Sequence, residues 1–166
     1  DAPPWLVRAN SFLGIEEAPG SQDNPIIMRW PAVIAARFPR VQGLNGYCAE
    51  YTHDSIAWCG RFVALCFSMA GIMPVFTRGE DLRSFLWAQA WKLFGIHPDT
   101  PRLGCVVVLA RHVGFFLGEE GNRWLILGGN QSDGVTVMRV DPDDVEELRW
   151  PSAVPAQDIV IAPAPS

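Results

Sequence analysis

The stretch Asp54-Ser55-Ile56-Ala57-Trp58-Cys59-Gly60-Arg61-Phe62-Val63-Ala64-Leu65-Cys66-Phe67-Ser68-Met69-Ala70-Gly71 decides how the chain is read. Phe62, Val63, Cys66, Phe67 and Ala70 recur with the helix period, and Gly71 supplies a stop, so the spacing predicts an amphipathic helix. Cys59 falls near its start. A thiol in a helix's first turn lies beside unpaired backbone N–H groups and the positive end of the helix dipole, which favours the thiolate. Cys66 lies on nearly the same side but deep in the apolar stripe. The first cysteine reads as a candidate nucleophile and the second as core.

Upstream, Trp5, Leu6, Ala9, Phe12 and Leu13 make one helical face that ends before Gly14. Asp23 or Asn24 is placed to cap a further helix with Pro25 at its first position, and Pro31 is expected to kink or end that helix. Pro39 to Thr52 has little periodicity and reads as a long loop, with Tyr47, Tyr51 and His53 either lining a groove or anchoring the loop. Downstream, Glu80 to Phe94 has a helical pattern with Leu82, Phe85, Leu86, Gln89 and Leu93 on its inner side.

After Gly104 the pattern turns to strand: Cys105 to Ala110, Val113 to Gly118, Arg123 to Leu127 and Val135 to Val140. Glu119-Glu120-Gly121-Asn122 and Gln131-Ser132-Asp133-Gly134 supply turns between them. The expected fold is α+β, with N-terminal helices, including the Cys59 helix, packed on a small antiparallel sheet. Residues 1–154 form one expected domain and the Ala/Pro-rich 155–166 a tail.

The 166 residues are enough for a sizeable core, and 7 tryptophans with 9 phenylalanines suit an aromatic core, a glycan groove or both. A net charge of −5 argues against sequence-independent nucleic-acid binding, and no run of about 18 apolar residues predicts a membrane span. Asp1-Ala2-Pro3-Pro4 is not preceded by a basic segment and an apolar segment, which leaves a removed signal, another export route or no export open. Most of the four cysteines are expected to be free; a Cys48 to Cys105 bridge is the pairing considered.

With Gly121 at the centre of its turn, position 112 pairs approximately with position 130, which sets His112 beside Asn130 at the open end of a hairpin. Taken singly, each has a plain structural reading: a small buried cysteine, a hydrogen-bonded histidine, an asparagine in a turn. Together with Cys59 they make the set that nucleophilic amide hydrolysis needs. Cys59 attacks, His112 moves the proton, Asn130 orients the imidazole, and the Cys59 N–H serves the oxyanion.

Asp54-x-x-x-Trp58-Cys59-x-x-Phe62-Val63, then Arg111-His112-Val113-Gly114-Phe115, then Leu127-Gly128-Gly129-Asn130-Gln131-Ser132-Asp133-x-Val135, resembles a bacterial and phage family of cell-wall hydrolases within the papain-like NlpC-type and CHAP-type superfamily. Glu17-x-Pro19-Gly20-Ser21-x-Asp23-Asn24-Pro25 resembles its N-terminal motif and Arg149-Trp150-Pro151 its end. The likeness spans roughly residues 5 to 151, and the Gly-Gly-Asn-Gln-Ser block is its most specific part. It implies a cysteine peptidase or amidase acting on a peptide or amide bond of the peptidoglycan stem, through Cys59, His112 and Asn130, in the periplasm or cell wall. Neither a metal nor an organic cofactor is implied.

Trp58, Tyr47 and Arg111 become candidates for holding substrate, and Asp54 for meeting a stem amine or capping the helix. Arg111 stands where the family commonly has glycine, Gly60 where serine is common, and residues 31–53 are longer than the pattern. A toxin role would add a protein inhibitor as partner. Rival readings are a zinc site drawn from Cys48, His53, Cys59, Cys105 and His112, whose spacing fits no compact zinc knuckle; a cysteine-dependent acyltransferase; and a non-catalytic wall-binding module.

Overall fold

The computed structural model describes residues 2–37, 53–54, 57–73 and 87–154. Tyr47, Cys48, Tyr51, the start of the expected 80–94 helix and the tail from residue 155 lie outside these residues.

Among the described residues, three α-helices precede the sheet: α1 Pro4–Ser11, α2 Pro25–Arg37 and α3 Cys59–Met69. Trp5, Leu6 and Ala9 of α1 are buried, as their spacing requires. Asn24 caps α2, its Oδ1 accepting the Ile26 N–H at 2.8 Å. Of the two outcomes expected at Pro31, a kink or an end, the helix does not end there: α2 runs on to Arg37. Pro31 is buried between Trp30 and Ile34 on the packing face, where tertiary contacts offset the lost helical hydrogen bond.

The cysteine helix is shorter than its sequence pattern. It begins at Cys59 itself, where the Phe62 N–H donates to the Trp58 carbonyl at 2.8 Å. Every residue from Cys59 to Ser68 is buried, so α3 is the central helix rather than a surface one. Trp30, Trp58 and Phe62 pack mutually with ring centroids 5.4–6.4 Å apart, joining α2 to α3. Phe67 meets Trp5, Phe94 and Phe115 and so ties α3 to α1 and to the sheet.

In place of the described end of the expected 80–94 helix there is a 3-10 helix, Ala88–Leu93, preceded by Trp87 in extended conformation. Its buried residue is Trp91, with Phe94 just beyond, while Gln89 is exposed. Two large aromatic side chains three apart match the tighter 3-10 repeat.

The sheet has five strands: β1 Val106–Leu109, β2 His112–Glu120, β3 Arg123–Gln131, β4 Gly134–Val140 and β5 Glu147–Arg149, in the order β4-β3-β2-β1-β5. All neighbours are antiparallel. β5 has no counterpart among the strands expected from the sequence, and the Trp150 that follows it is buried. The chain reaches β5 from the opposite edge through Asp141 to Glu146, whose N–H donates to the Val108 carbonyl at 2.8 Å. Residues 14–17 run along the free edge of β4, with the Gly14 N–H on the Val135 carbonyl at 3.1 Å and the Glu17 N–H on the Asp133 carbonyl at 2.8 Å.

One end of the sheet carries the β2–β3 turn, Gly121-Asn122, and is called the tip. The other carries the start of β2, the end of β3 and the N-terminus of α3. Helices and sheet share one buried cluster, the α+β arrangement expected from the sequence. Among the described residues, no helix is long and apolar enough to cross a membrane.

Candidate functional site

Cys59 is the first residue of α3 and 9% exposed. Its sulfur sits among backbone N–H groups of Val113, Gly60 and Cys59 itself. Burial is the largest influence and raises the thiol pKa, and those three amides oppose it without cancelling it. The expectation of a depressed pKa from helix position alone is therefore corrected: at rest the thiol is held protonated. Cys66 is fully buried and its thiol is pushed far higher; that of Cys105, also free and buried, is pushed up to about 12 by burial. Cys105's considered partner, Cys48, lies outside the described residues.

His112 opens β2 and pairs with Leu109 across the two-residue turn Ala110-Arg111. Its Nε2 lies 2.8 Å from Gln131 Oε1. The amide of Gln131 is itself oriented: its Nε2 donates to the Thr136 carbonyl at 2.7 Å and to Thr136 Oγ1 at 3.1 Å. With the NH₂ group so engaged, the oxygen faces the imidazole, and Nε2 of His112 must carry the proton in order to donate. Nδ1 then keeps its lone pair and is the basic nitrogen. Burial lowers the pKa of His112, and the bond to Gln131 partly restores it. Its neighbour Val113 supplies the amide at the Cys59 sulfur, so the start of β2 lies against the start of α3.

Asn130 does not orient His112; Gln131 does. At the tip Glu120 pairs with Arg123, one residue off the register expected with Gly121 at the turn's centre; a bulge between Phe116 and Gly118 then brings Phe115 opposite Leu127, where the described pairing ends short of positions 112 and 130. Beyond it the backbone changes: Asn130 has φ 60°, and β3 shifts register against β4 between Gly128 and Gln131. A left-handed residue interrupts the strand's alternation of faces, so the following side chain takes the place beside His112. Asn130 turns the other way, and its Oδ1 accepts the Trp58 N–H at 2.8 Å. Ser132 and Asp133, with φ 50° and 61°, close a two-residue turn of I′ character that leaves Gln131 as the last strand residue. That turn was legible in the sequence, and it is the signal that could have singled out Gln131.

Two glycines make room for this arrangement. A Cβ on Gly128 would stand 2.5 Å from Gln131 Oε1 and 3.1 Å from His112 Nε2; one on Gly129 would stand 2.5 Å from the Trp58 ring.

The candidate substrate residues are placed differently from expectation. Trp58 is 0% exposed, so it lines no groove; its indole Nε1 donates to Glu17 Oε1 at 2.8 Å. Asp54 neither caps α3 nor faces an open site. It is 2% exposed, and its Oδ2 accepts the Ala18 N–H at 2.8 Å and the Asn24 N–H at 2.7 Å, binding the 18–24 loop to the approach to the cysteine. Tyr47 lies outside the described residues. Arg111 is exposed and shares with His112 the wall of an open depression of about 670 Å³; a second, of about 560 Å³, is bounded by His112, Asn130, Gln131 and Thr136. Glu17, which the sequence reading used only as a motif residue, is the further polar group that the fold brings against Trp58.

Among the described residues, no cluster of three or more His, Cys, Asp or Glu side chains is arranged to hold a metal ion. Fold and site together define an α+β protein whose central helix starts at a thiol, beside a strand that starts at a tautomer-fixed histidine. No family model matches the chain, and no curated protein or solved structure matches it either.

Proposed function

We propose that the protein is a papain-like cysteine hydrolase of the NlpC-type or CHAP-type kind that cleaves a peptide or amide bond of the peptidoglycan stem. The observation that carries the chemistry is the hydrogen-bonded series from His112 through Gln131 to Thr136, which leaves Nδ1 as a base at the end of the strand lying against Cys59. The substrate class rests on the sequence resemblance. Peptidoglycan is the proposed partner and the periplasm or cell wall the proposed place of action.

In this mechanism Nδ1 of His112 accepts the Cys59 proton as Sγ forms a bond to the substrate carbonyl carbon. The raised thiol and the lowered imidazole both favour the neutral pair before substrate binds. The side chains meet closely only once substrate fills the site, as catalytic hydrogen bonds do. The carbonyl oxygen takes the negative charge, stabilised by N–H groups at the start of α3. Collapse breaks the C–N bond, and the amine leaves with the proton from His112. Water then attacks the thioester with His112 again as base, releasing the acid and restoring Cys59. An amine in place of that water would make the same site an acyltransferase.

Mass spectrometry of peptidoglycan digested by wild type and by Cys59→Ala tests the reading. Soluble fragments produced by wild type alone are the expected result, and their new termini separate endopeptidase from amidase. The burial of Cys59 favours one second reading, a wall-binding module without activity. Co-sedimentation with insoluble peptidoglycan, without release of fragments by the reduced wild type, would overturn the hydrolase in its favour.

A further inference from the structure

We propose that Glu17 is a positioning residue for Cys59, its carboxylate holding the Trp58 indole and, through it, the first turn of α3. The turnover part of this inference rests on the hydrolase reading above; the thiol-reactivity part does not. Trp58 immediately precedes Cys59, and its carbonyl accepts the first helical N–H of α3, from Phe62. It is held at two points by two different parts of the fold. Asn130 Oδ1, at the end of β3, fixes its backbone N–H at 2.8 Å, and Glu17 Oε1, on the segment edging β4, fixes its indole N–H at 2.8 Å. Trp58, the N-cap residue, makes no side-chain cap bond to α3, so its two anchors act on the helix start through its backbone and its ring.

Glu17 is itself anchored for this task. Its N–H donates to the Asp133 carbonyl at 2.8 Å, and the next residue, Ala18, donates to Asp54 Oδ2 at 2.8 Å. The charged groups facing the carboxyl are Asp133 in the β3–β4 turn and Asp54 before α3. Beyond Asp54 lie Asp23, which accepts the Asp54 N–H at 3.0 Å, and His53, 3.4 Å from Asp23. Burial and both acidic neighbours push the Glu17 pKa up, and the Trp58 bond counters them. Among the described residues the Trp58 indole N–H is the side-chain donor that holds this part-buried carboxylate, and it does so against two acidic neighbours.

Loosening Trp58 would let water reach a thiol that burial now holds protonated. Its reactivity should rise while its alignment for catalysis falls. The test is iodoacetamide labelling of the folded, reduced protein, followed by peptide mass spectrometry that scores Cys59, Cys66 and Cys105 separately. In Glu17→Ala, Cys59 should label about tenfold faster at neutral pH and its labelling midpoint should move down toward the ordinary thiol range, with Cys66 and Cys105 still protected. Glu17→Gln keeps an acceptor oxygen and should stay within about twofold of wild type. Trp58→Phe should reproduce Glu17→Ala, and the double variant should go no further, because both remove one interaction.

On peptidoglycan, Glu17→Ala should lower kcat about tenfold with KM nearly unchanged. A folded Glu17→Ala with the wild-type labelling profile would overturn the proposal, as would effects of the two substitutions that multiply. Equal exposure of all three thiols would also overturn it, by showing general unfolding. A wild type that cleaves no peptidoglycan would sink the hydrolase reading and leave the labelling result to decide this one.

Discussion

The two ends of the sheet are built from the same strands and behave as different materials. At the tip, β2 and β3 meet in the two-residue turn Gly121-Asn122, and the charges there pair across the surface: Arg139 with Glu120 at 2.7 Å and Arg123 with Asp141 at 3.7 Å. At the other end, three of the four residues from Asn130 to Asp133 have positive φ, and the polar groups of Gln131 and Asp54 are buried and bonded. Water solvates the tip and forgives its irregularities. At the site end Gln131 and Asp54 are out of water although His112 and Asn130 border open depressions, so the buried polar atoms need partners in place, and the backbone is bent to supply them.

The sharpest way to break that contrast is at Gln131. Gln131→Ala should leave the His112 tautomer unset and lower peptidoglycan turnover by about 10²- to 10⁴-fold, the range that general-base catalysis supplies. Asn130→Ala should act on stability and on Cys59 placement, with the smaller loss in turnover. A reversed order, with Asn130→Ala the more damaging to kcat in folded protein, would reinstate Asn130 as the orienter and refute the assignment above.

Glycine replacements compare the two ends directly. Alanine at Gly129 would drive its Cβ into the Trp58 ring and Phe62 Cβ, at 2.5 and 2.7 Å, so Gly129→Ala should destabilise the fold by about 1–3 kcal/mol or more in denaturant titration. Gly121→Ala at the tip meets nothing within 4 Å and carries only the strain of φ 61°, about 1 kcal/mol. Gly128→Ala should be the selective lesion: its Cβ meets Gln131 Oε1 and His112 Nε2, groups of the site, so turnover should suffer beyond what the stability change explains.

This difference also explains what could be read from the chain in advance. The strands and turn position at the tip were legible because hydrophobic alternation and turn chemistry act locally at Phe115, Phe116, Trp124 and Gly121; the bulge between Phe116 and Gly118, which shifts the register by one, carries no such local signal. The α+β class followed from the switch of period at Gly104. The partner of His112 was not legible, since it depends on one left-handed residue, Asn130, whose φ is stabilised by the long-range bond to Trp58. Trp58 and Asp54 were misread for a related reason. A motif shows that a side chain matters to a site without showing whether it faces the substrate or the core behind it, and both face the core. β5 is three residues long and paired at one edge, too short for its alternation to announce it.

Smaller effects should appear in pH dependence. Burial lowers the His112 pKa, so the buried neutral imidazole contributes stability that is fully present above the ordinary histidine value of about 6.5 and is lost as pH falls through the lower folded value. Cys59 has the opposite sign: its raised thiol contributes stability below the ordinary value of about 8.5, lost as pH rises through the folded value. Thermal melts from pH 7.5 to 5 should therefore lose less in His112→Gln than in wild type. Iodoacetamide labelling of wild-type Cys59 should climb through the alkaline range; a rate already flat between pH 5 and 8 would reveal a preformed thiolate–imidazolium pair instead.

The least effect is expected at the tip's ion pairs. Arg139 donates to Glu120 from both Nε and a terminal nitrogen, which raises its already high pKa, yet both side chains stand in water. Solvent screens an exposed pair, and ordering two long side chains opposes the gain. Arg139→Gln should accordingly leave the melting temperature unchanged within error at physiological salt, and adding salt to wild type should do as little. Trp58, held by one carboxylate and one amide oxygen inside the fold, should respond to the loss of either partner. A tip variant as damaging as Glu17→Ala would show that stability is spread evenly over the sheet, and the division between a forgiving end and a demanding one would have to be abandoned.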